Sequence, residues 1–360
     1  MVILFAILMF GFLITIHEFG HYLFARIFKV GVKEFSVGMG PKILSHRSKK
    51  TNILYSLRLL PLGGYVSMVG EDEESDDENA LSKKSAWKRL VIMAAGGVFN
   101  IIVGVILCGV FVGMTTQSLG STTIYQFTEN ATSQYYLEPG DKITEVNGHD
   151  VGIFSELSFR IMWEAEKPTT AVVENELGEK LTLENVGLVD ITVIRDGKEM
   201  LICDVPFSMA TEQGIGMGQT DFYVYGERAN FSSVIRHTLC HARNNVNQVW
   251  ASLGGLLSGR VGVSQMSGPV GITEQMTEAA GYGFEYLIFF AALIAINLGI
   301  FNLLPIPALD GGRIVFLLIE AVRGKPIKPE IEGKIHTIAL ILLLALSVFV
   351  LFKDIFALFV

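Results

Sequence analysis

The residues best placed to do chemistry are His17, Glu18 and His21, in the run GFLITIHEFGHYLFARIF from Gly11 to Phe28. Histidines four apart stand on one face of a helix, one turn from each other. Two imidazoles so placed can bind one zinc ion at about 2.0–2.1 Å each. Glu18 directly follows the first histidine and can reach a water on the metal. Zinc lowers the pKa of such a water toward ~7, and a carboxylate can accept its proton and later return it to a leaving amine. His-Glu-x-x-His on a helix is therefore an arrangement for hydrolysing amides.

The motif fixes three residues in five, so its surroundings carry more weight than the motif. It follows an unbroken apolar run from Met1 to Ile16. An ionisable side chain near the bilayer centre costs at least ~2.5–3.5 kcal/mol on insertion scales. Three in one turn need a common explanation, and a cation that pairs with all of them is one. The alternative is that the helix ends at Ile16 and these residues lie among lipid headgroups. A second histidine pair four apart, His237 and His241 in HTLCH, has no glutamate after its first member. No charge is forced into lipid there, and it reads as an ordinary solvated pair.

A zinc held by two histidines needs a third protein ligand, with the fourth position left for water. Asp310 in NLLPIPALDGGR is the candidate. Pro305 and Pro307 cannot continue a helix, so the backbone must open there. Open backbone at membrane depth is tolerated where it lines a wet cavity or is buried in protein. Asp310 also reads more simply as a turn aspartate before two glycines.

These residues must be positioned by membrane helices. Half of the 360 residues are hydrophobic and the mean hydropathy is +0.45, too apolar for an ordinary soluble protein of this size. Four stretches meet or approach the roughly 20 apolar residues that a bilayer core of about 30 Å demands. They are Met1–Ile16 continuing into the motif, Leu90–Met114, Tyr286–Leu309, and Ile335–Phe352, where only His336 could ionise. The first has neither a basic leading segment nor a small-x-small cleavage site, so a retained helix is expected rather than a signal peptide. Three cysteines, Cys108, Cys203 and Cys240, are too few and too scattered for a disulfide framework or a thiolate zinc site.

The net charge of −8 is spread unevenly. Arg26–Arg89 holds 12 Lys/Arg and Asp310–Lys334 holds five, whereas Thr115–Glu285 holds 22 acidic residues against 10 basic. The positive-inside rule then puts the first and last loops in the cytoplasm and the long segment outside. Four spans with both termini outside satisfy every loop, and His21 and Asp310 both arrive at the cytoplasmic side.

Between the spans, NILYSLRLLPLGGYVSMVG from Asn52 to Gly70 is apolar but punctuated by Pro61, Gly63 and Gly64. It reads as a hairpin or looped ribbon. The acidic run Glu71–Asn79 reads as a solvated linker, and SKKSAWKRL as an interfacial anchor before the second span. Asn230–Gly259 has helical apolar spacing and reads as an amphipathic helix outside the membrane. In the outer segment, YYLEPGDKITEVNGHDV and LVDITVIRDGKEMLICDV alternate apolar and polar residues around the turn signals Asn147-Gly148 and Asp196-Gly197. This pairing resembles a bacterial PDZ domain, which implies a groove that adds a peptide strand to a sheet edge. The acidic segment Glu164–Gly187 is longer than such domains usually carry.

The combination of HEFGH, PLGGYVSMVG, AAGGVFN, SGPVGI at Ser267–Ile272 and FNLLPIPALDGGR is similar to the site-2 protease family of intramembrane zinc metalloproteases, in its bacterial RseP/RasP-type branch with one PDZ domain. The resemblance covers nearly the whole chain. It implies that His17, His21 and Asp310 are ligands of one Zn2+ and that Glu18 is the catalytic glutamate. Asn302 matches an asparagine that contacts substrate; alternatively it is a satisfied polar group between helices. Gly63, Gly64, Tyr65 and Val66 match a membrane re-entrant β-loop that would hold substrate as an extended strand.

The fold expected is a polytopic α-helical membrane protein with four transmembrane helices, a membrane re-entrant β-hairpin and an inserted extracytoplasmic PDZ domain of β-rich α+β type. Its parts are membrane core 1–117 (β-loop 52–70, linker 71–79, second span 90–114), PDZ-like domain 118–207, connector 208–284 with amphipathic helix 230–259, and membrane core 285–360. The function expected is intramembrane zinc endopeptidase in a bacterial cytoplasmic membrane. It would act on single-span substrates already trimmed outside, such as anti-sigma factors or signal-peptide remnants. The partners are those substrates and the lipid bilayer, with no nucleic acid. A catalytically inactive scaffold that binds peptides through its PDZ domain is the alternative, and the intact Glu18 argues against it. A metal transporter would tend to carry internal repeats and ligands on several spans, and neither is seen.

Overall fold

The computed structural model describes residues 2–71, 75–115, 119–165, 168–174, 178–208, 221–262, 266–325 and 327–357. Part of the expected acidic linker (72–74), the first residue of the expected PDZ-like domain (Ser118), five residues of the acidic segment (166, 167 and 175–177) and most of the expected connector's start (209–220) lie outside the described residues. The chain divides into two units, Met1–Leu107 with Asn245–Val360, and Cys108–Asn244.

Among the described residues, four helices are long and apolar enough to cross a membrane: α1 (Val2–Ile27), α2 (Ala86–Met114), α6 (Phe284–Leu303) and α8 (Pro329–Ala357). They coincide with the four apolar runs of the sequence. Helix α1 does not stop at Ile16; it carries His17, Glu18 and His21 in mid-helix. In the first unit its upper part packs with α5 (Pro269–Tyr282) and α6, burying Met9, Leu13, Met276, Phe290 and Ala295. Its lower part joins α2 and two strands around Ala25, Val30, Ile53, Val66, Met68 and Ile92. Glycines set the closeness of these helices: a Cβ on Gly20 would stand 2.8 Å from the Ala95 carbonyl carbon, and one on Gly299 2.6 Å from the Gly97 carbonyl oxygen. Packing through small residues is how helices associate where burying apolar area from water gives no advantage. Asp354 of α8 accepts the N–H groups of Gly268 (2.9 Å) and Gly271 (3.1 Å), so a carboxylate from one helix serves the N-terminus of α5.

Residues 52–70 do not form a hairpin by themselves. They supply one long strand, β2 (Leu54–Met68), whose antiparallel partner β1 (Val32–Arg47) the sequence reading left unassigned. The pairing is irregular: Phe35 stands opposite both Val66 and Tyr55, and Ser36 opposite both Tyr65 and Ser56. A polar knot stitches the folded-back ribbon. Glu34 accepts from Ser56 (2.6 Å) and Arg58 (3.0 Å), while Arg58 also donates to the Ser36 hydroxyl, the Gly40 carbonyl and the Tyr65 hydroxyl. Burial alone would push the Glu34 carboxyl up, but bonds from Ser56, Arg58, Tyr65 and Lys42 outweigh it and hold the group down at about 2.

Helix α6 ends at Leu303, before Pro305 and Pro307, and a new helix α7 (Asp310–Arg323) starts at Asp310. The backbone opens where the prolines require it; the amphipathic helix that follows was not foreseen.

The second unit is β-rich. Strands β3 (Leu119–Phe127), β4 (Lys142–Val146), β5 (His149–Asp150), β6 (Thr169–Glu174), β7 (Lys180–Arg195), β8 (Lys198–Ser208) and β9 (Phe222–Glu227) form one sheet in the order β6-β7-β4-β3-β9, with β5 on β4 and β8 on β7. Both two-residue turns fall where Asn147-Gly148 and Asp196-Gly197 announce them, with positive φ at all four residues. Strand β9 lies within residues expected to be a connector; it completes the sheet by pairing with β3. Part of the acidic segment forms β6 and the start of β7. Helix α3 (Phe154–Glu164) covers a core of Ile124, Ile143, Leu157, Ile161, Ile191 and Phe207. The expected amphipathic helix is α4 (Phe231–Ser258). None of the three cysteines forms a disulfide.

The His237/His241 pair is not solvated as expected. His237 is buried and His241 half-buried, against Ser155 (3.3 Å) and the Phe111 ring. Burial, and then the neighbouring His237, push His241 down to about 4. A histidine depressed from its ordinary 6.5 stabilises the fold fully above that pH and loses the contribution as pH falls toward 4, up to about 3 kcal/mol. Thermal unfolding of the detergent-solubilised protein between pH 7 and 4.5 should therefore show a falling midpoint, flattened in His241→Phe. An equal slope in both proteins would refute the assignment.

Candidate metal centre

Helix α1 is apolar through Ile16, and continuing it past that point aligns His17 and His21 one turn apart, with ring centroids 4.8 Å apart. Their Nε2 atoms are 3.2 Å apart. Asp310, first residue of α7, sends Oδ2 to within 3.0 Å of His17 Nε2 and 3.2 Å of His21 Nε2. Among the described residues this is the one group of three or more His, Cys, Asp or Glu able to hold a metal ion. Ligands at about 2.0–2.1 Å from one tetrahedral ion lie about 3.3 Å from each other, and the observed triangle has that size.

The protonation pattern agrees with a cation. The Nδ1–H of His21 donates to the Ile92 carbonyl (2.8 Å), a group that can only accept. The Nε2 lone pair is therefore the one facing Asp310 and His17. It converges there with His17 Nε2 and with Asp310 Oδ2, a buried carboxylate oxygen that has no hydrogen-bond partner among the described residues.

Two features bring Asp310 this close. Leu304 ends α6 in extended conformation, Ala308 has φ 78°, and Leu309 is extended again, so the chain turns sharply before α7. Gly311 and Gly312 then press on the loop: a Cβ at either would stand 2.6 Å from the carbonyl oxygen of Leu303 or Ile306. The glycines read as turn residues in the sequence are here for close approach. One turn into α7, Arg313 pairs with Glu71 (2.6 Å), just past the end of β2.

Glu18, beside His17, accepts the backbone N–H of Val66 on Oε2 (3.0 Å). Strand β2 therefore touches the motif directly. Of the four residues expected to bind substrate in that strand, Val66 is bonded to Glu18, Tyr65 gives its hydroxyl to the Arg58 knot, Gly64 lies against the Ser36 carbonyl and Gly63 adopts φ 86°. Asn302 sits half-buried in the last turn of α6 and makes no hydrogen bond or ion pair with the three clustered residues.

Sequence reasoning missed Ile92 and Gly96. A carbonyl carries no sequence signal. Gly96 does: the doublet Gly96-Gly97 in an apolar helix marks close approach. A Cβ on Gly96 would meet His21 Nε2 and, at 2.7 Å, His17 Cε1.

The sequence model of peptidase family M50 matches residues 5–346. A protein of Clostridium acetobutylicum assigned as a zinc metalloprotease is 33% identical over 98% of this chain and 97% of its own. The zinc metalloprotease RasP of Oceanobacillus iheyensis is 28% identical over 98% of both chains. A protein of Enterococcus faecalis named as the protease Eep is 29% identical over 97% of both.

Gly96→Ala should weaken divalent-metal binding at least about tenfold, as losses around a metal's ligands do. Gly113→Ala in the same helix, where a Cβ meets nothing within 4 Å, should leave it unchanged; titration of the apo protein with metal distinguishes them. With four apolar helices, three convergent donors and a matching family sequence over nearly its full length, the chain belongs to peptidase family M50, the site-2 protease family.

Proposed function

We propose that this protein is an intramembrane zinc endopeptidase that hydrolyses peptide bonds within or beside the transmembrane segment of single-span substrates. The observation that carries the reading is the triangle of His17 Nε2, His21 Nε2 and Asp310 Oδ2 with Glu18 adjoining it. The names of the relatives support zinc as the metal. His17, His21 and Asp310 would hold it, and when bound it supplies Lewis-acid polarisation of the peptide carbonyl and a more acidic water.

The other roles belong to the chain's own groups. Glu18 would take the proton from the attacking water and deliver it to the departing amine. Its Oε2 is held by Val66 N–H, which fixes the carboxylate and leaves Oε1 for that transfer. A transmembrane helix hides its peptide bonds in its own hydrogen bonds and must unwind before attack. Pairing with the β1–β2 ribbon at Gly63–Val66 would replace the lost bonds. In this reading the ribbon is the re-entrant element of the membrane core, and Asn302 contacts the substrate near the site.

The β-rich second unit would be the extracytoplasmic PDZ domain, its sheet edge docking or filtering substrates trimmed beforehand, such as anti-sigma factors or signal-peptide remnants. The charge distribution supports an orientation with both termini outside a bacterial cytoplasmic membrane and the metal site toward the cytoplasm.

Glu18→Gln should retain one zinc per chain and lose cleavage of a tagged transmembrane peptide by at least about 10²-fold, the general acid–base share of the rate. Asp310→Asn should lose zinc as well. Wild-type cleavage by Glu18→Gln would remove the assigned base, and unchanged zinc content in Asp310→Asn would remove the third ligand.

A further inference from the structure

We infer that His336, in the last membrane span, is a positioning residue for Asp310. The inference rests on the proposed zinc site and adds to it a group outside the motifs. His336 is the ionisable residue of the fourth apolar run, one residue from its start.

Its Nδ1 accepts the backbone N–H of Ala308 at 2.8 Å. Ala308 lies two residues before Asp310, at φ 78°, in the left-handed region that residues with a side chain rarely adopt. The other N–H groups of the loop stay within it or at the end of α6. Pro305 and Pro307 have no N–H. The N–H groups of Leu304, Ile306 and Leu309 bond to Ile300 and Phe301, Leu304, and Ile306, all within the end of α6 or the loop itself. Among the described loop residues 304–309, Ala308 is the one whose N–H reaches another element. The His336 bond therefore fixes the loop against α8 at the residue with the least favourable backbone, and the direction in which Asp310 leaves the loop follows from it.

The ring is itself held. Because Nδ1 accepts, the proton is on Nε2, which is buried with no hydrogen-bond partner among the described residues and faces Glu332 Oε1 at 3.8 Å. The Phe316 ring of α7 packs against it at 5.4 Å between centroids. One imidazole thus contacts both the loop before Asp310 and the helix after it.

The test separates this role from general packing. His336→Phe keeps a ring and removes the acceptor. His336→Asn places Oδ1 where Nδ1 stands, whereas His336→Gln carries its oxygen one bond further out. Zinc affinity would be measured by competition with a chelator, beside kcat and KM on a tagged transmembrane peptide. The expected result is zinc binding weaker by at least about tenfold in His336→Phe and His336→Gln, with kcat lowered and KM unchanged, and recovery to within about threefold of wild type in His336→Asn. Wild-type zinc affinity in His336→Phe, or a loss in His336→Asn as large as that in His336→Phe, would overturn the inference while leaving the zinc site intact. A wild-type protein that binds no zinc would overturn both.

Discussion

Two imidazole nitrogens and a carboxylate oxygen lie within 3.2 Å of one another among apolar helices, and the first unit is arranged around them. His21 has its proton turned away toward Ile92, Asp310 brings an unsatisfied oxygen, and His17 closes the triangle. Burying such groups without compensation is costly, and a cation is what removes the cost. Much of the first unit can be understood as the means of holding that triangle together: an apolar helix that continues through its ionisable turn, a helix broken by prolines so that a carboxylate can turn inward, and a glycine helix face that leaves room for two imidazoles.

The site is also tied to a strand. Val66 bonds Glu18, and the ribbon containing Val66 is irregular, folded back on itself and fixed by a half-buried acid–base knot around Glu34 and Arg58. The irregular ribbon is pinned by side chains, so the backbone N–H presented to Glu18 is held by the fold and not by a regular sheet. The Arg313–Glu71 pair connects the end of that strand to the helix that begins with Asp310. Glu18 and Asp310 are thereby linked through one short path of contacts.

Much of this was legible in the sequence. The four apolar runs became the four long helices, because spanning length and hydrophobicity are local properties. Asn147-Gly148 and Asp196-Gly197 gave the turns of the second unit, since positive φ restricts residue choice at those positions. His17, His21 and Asp310 were chosen for their chemistry, and they do come together. What was not legible depends on non-local pairing or on backbone atoms. Val32–Arg47 has no clean alternation, so β1 was invisible until its partner was known. Strand β9 joins the sheet across a large sequence gap. His237 was read as exposed because its helix is amphipathic, whereas its buried environment is made by other segments.

The glycine contacts bear on how such a protein can be made more robust. Replacing helical glycine by alanine is a common route to stability, worth up to about 1 kcal/mol per site by reducing the freedom of the unfolded chain. Gly20, Gly96, Gly97 and Gly299 close that route, because each would drive a methyl group into a neighbouring backbone, imidazole or side chain. Gly254, Gly281 and Gly333 face open space and leave it available. Tolerance to heat can therefore be raised at the periphery of this fold, while the helix spacing at its centre stays as it is.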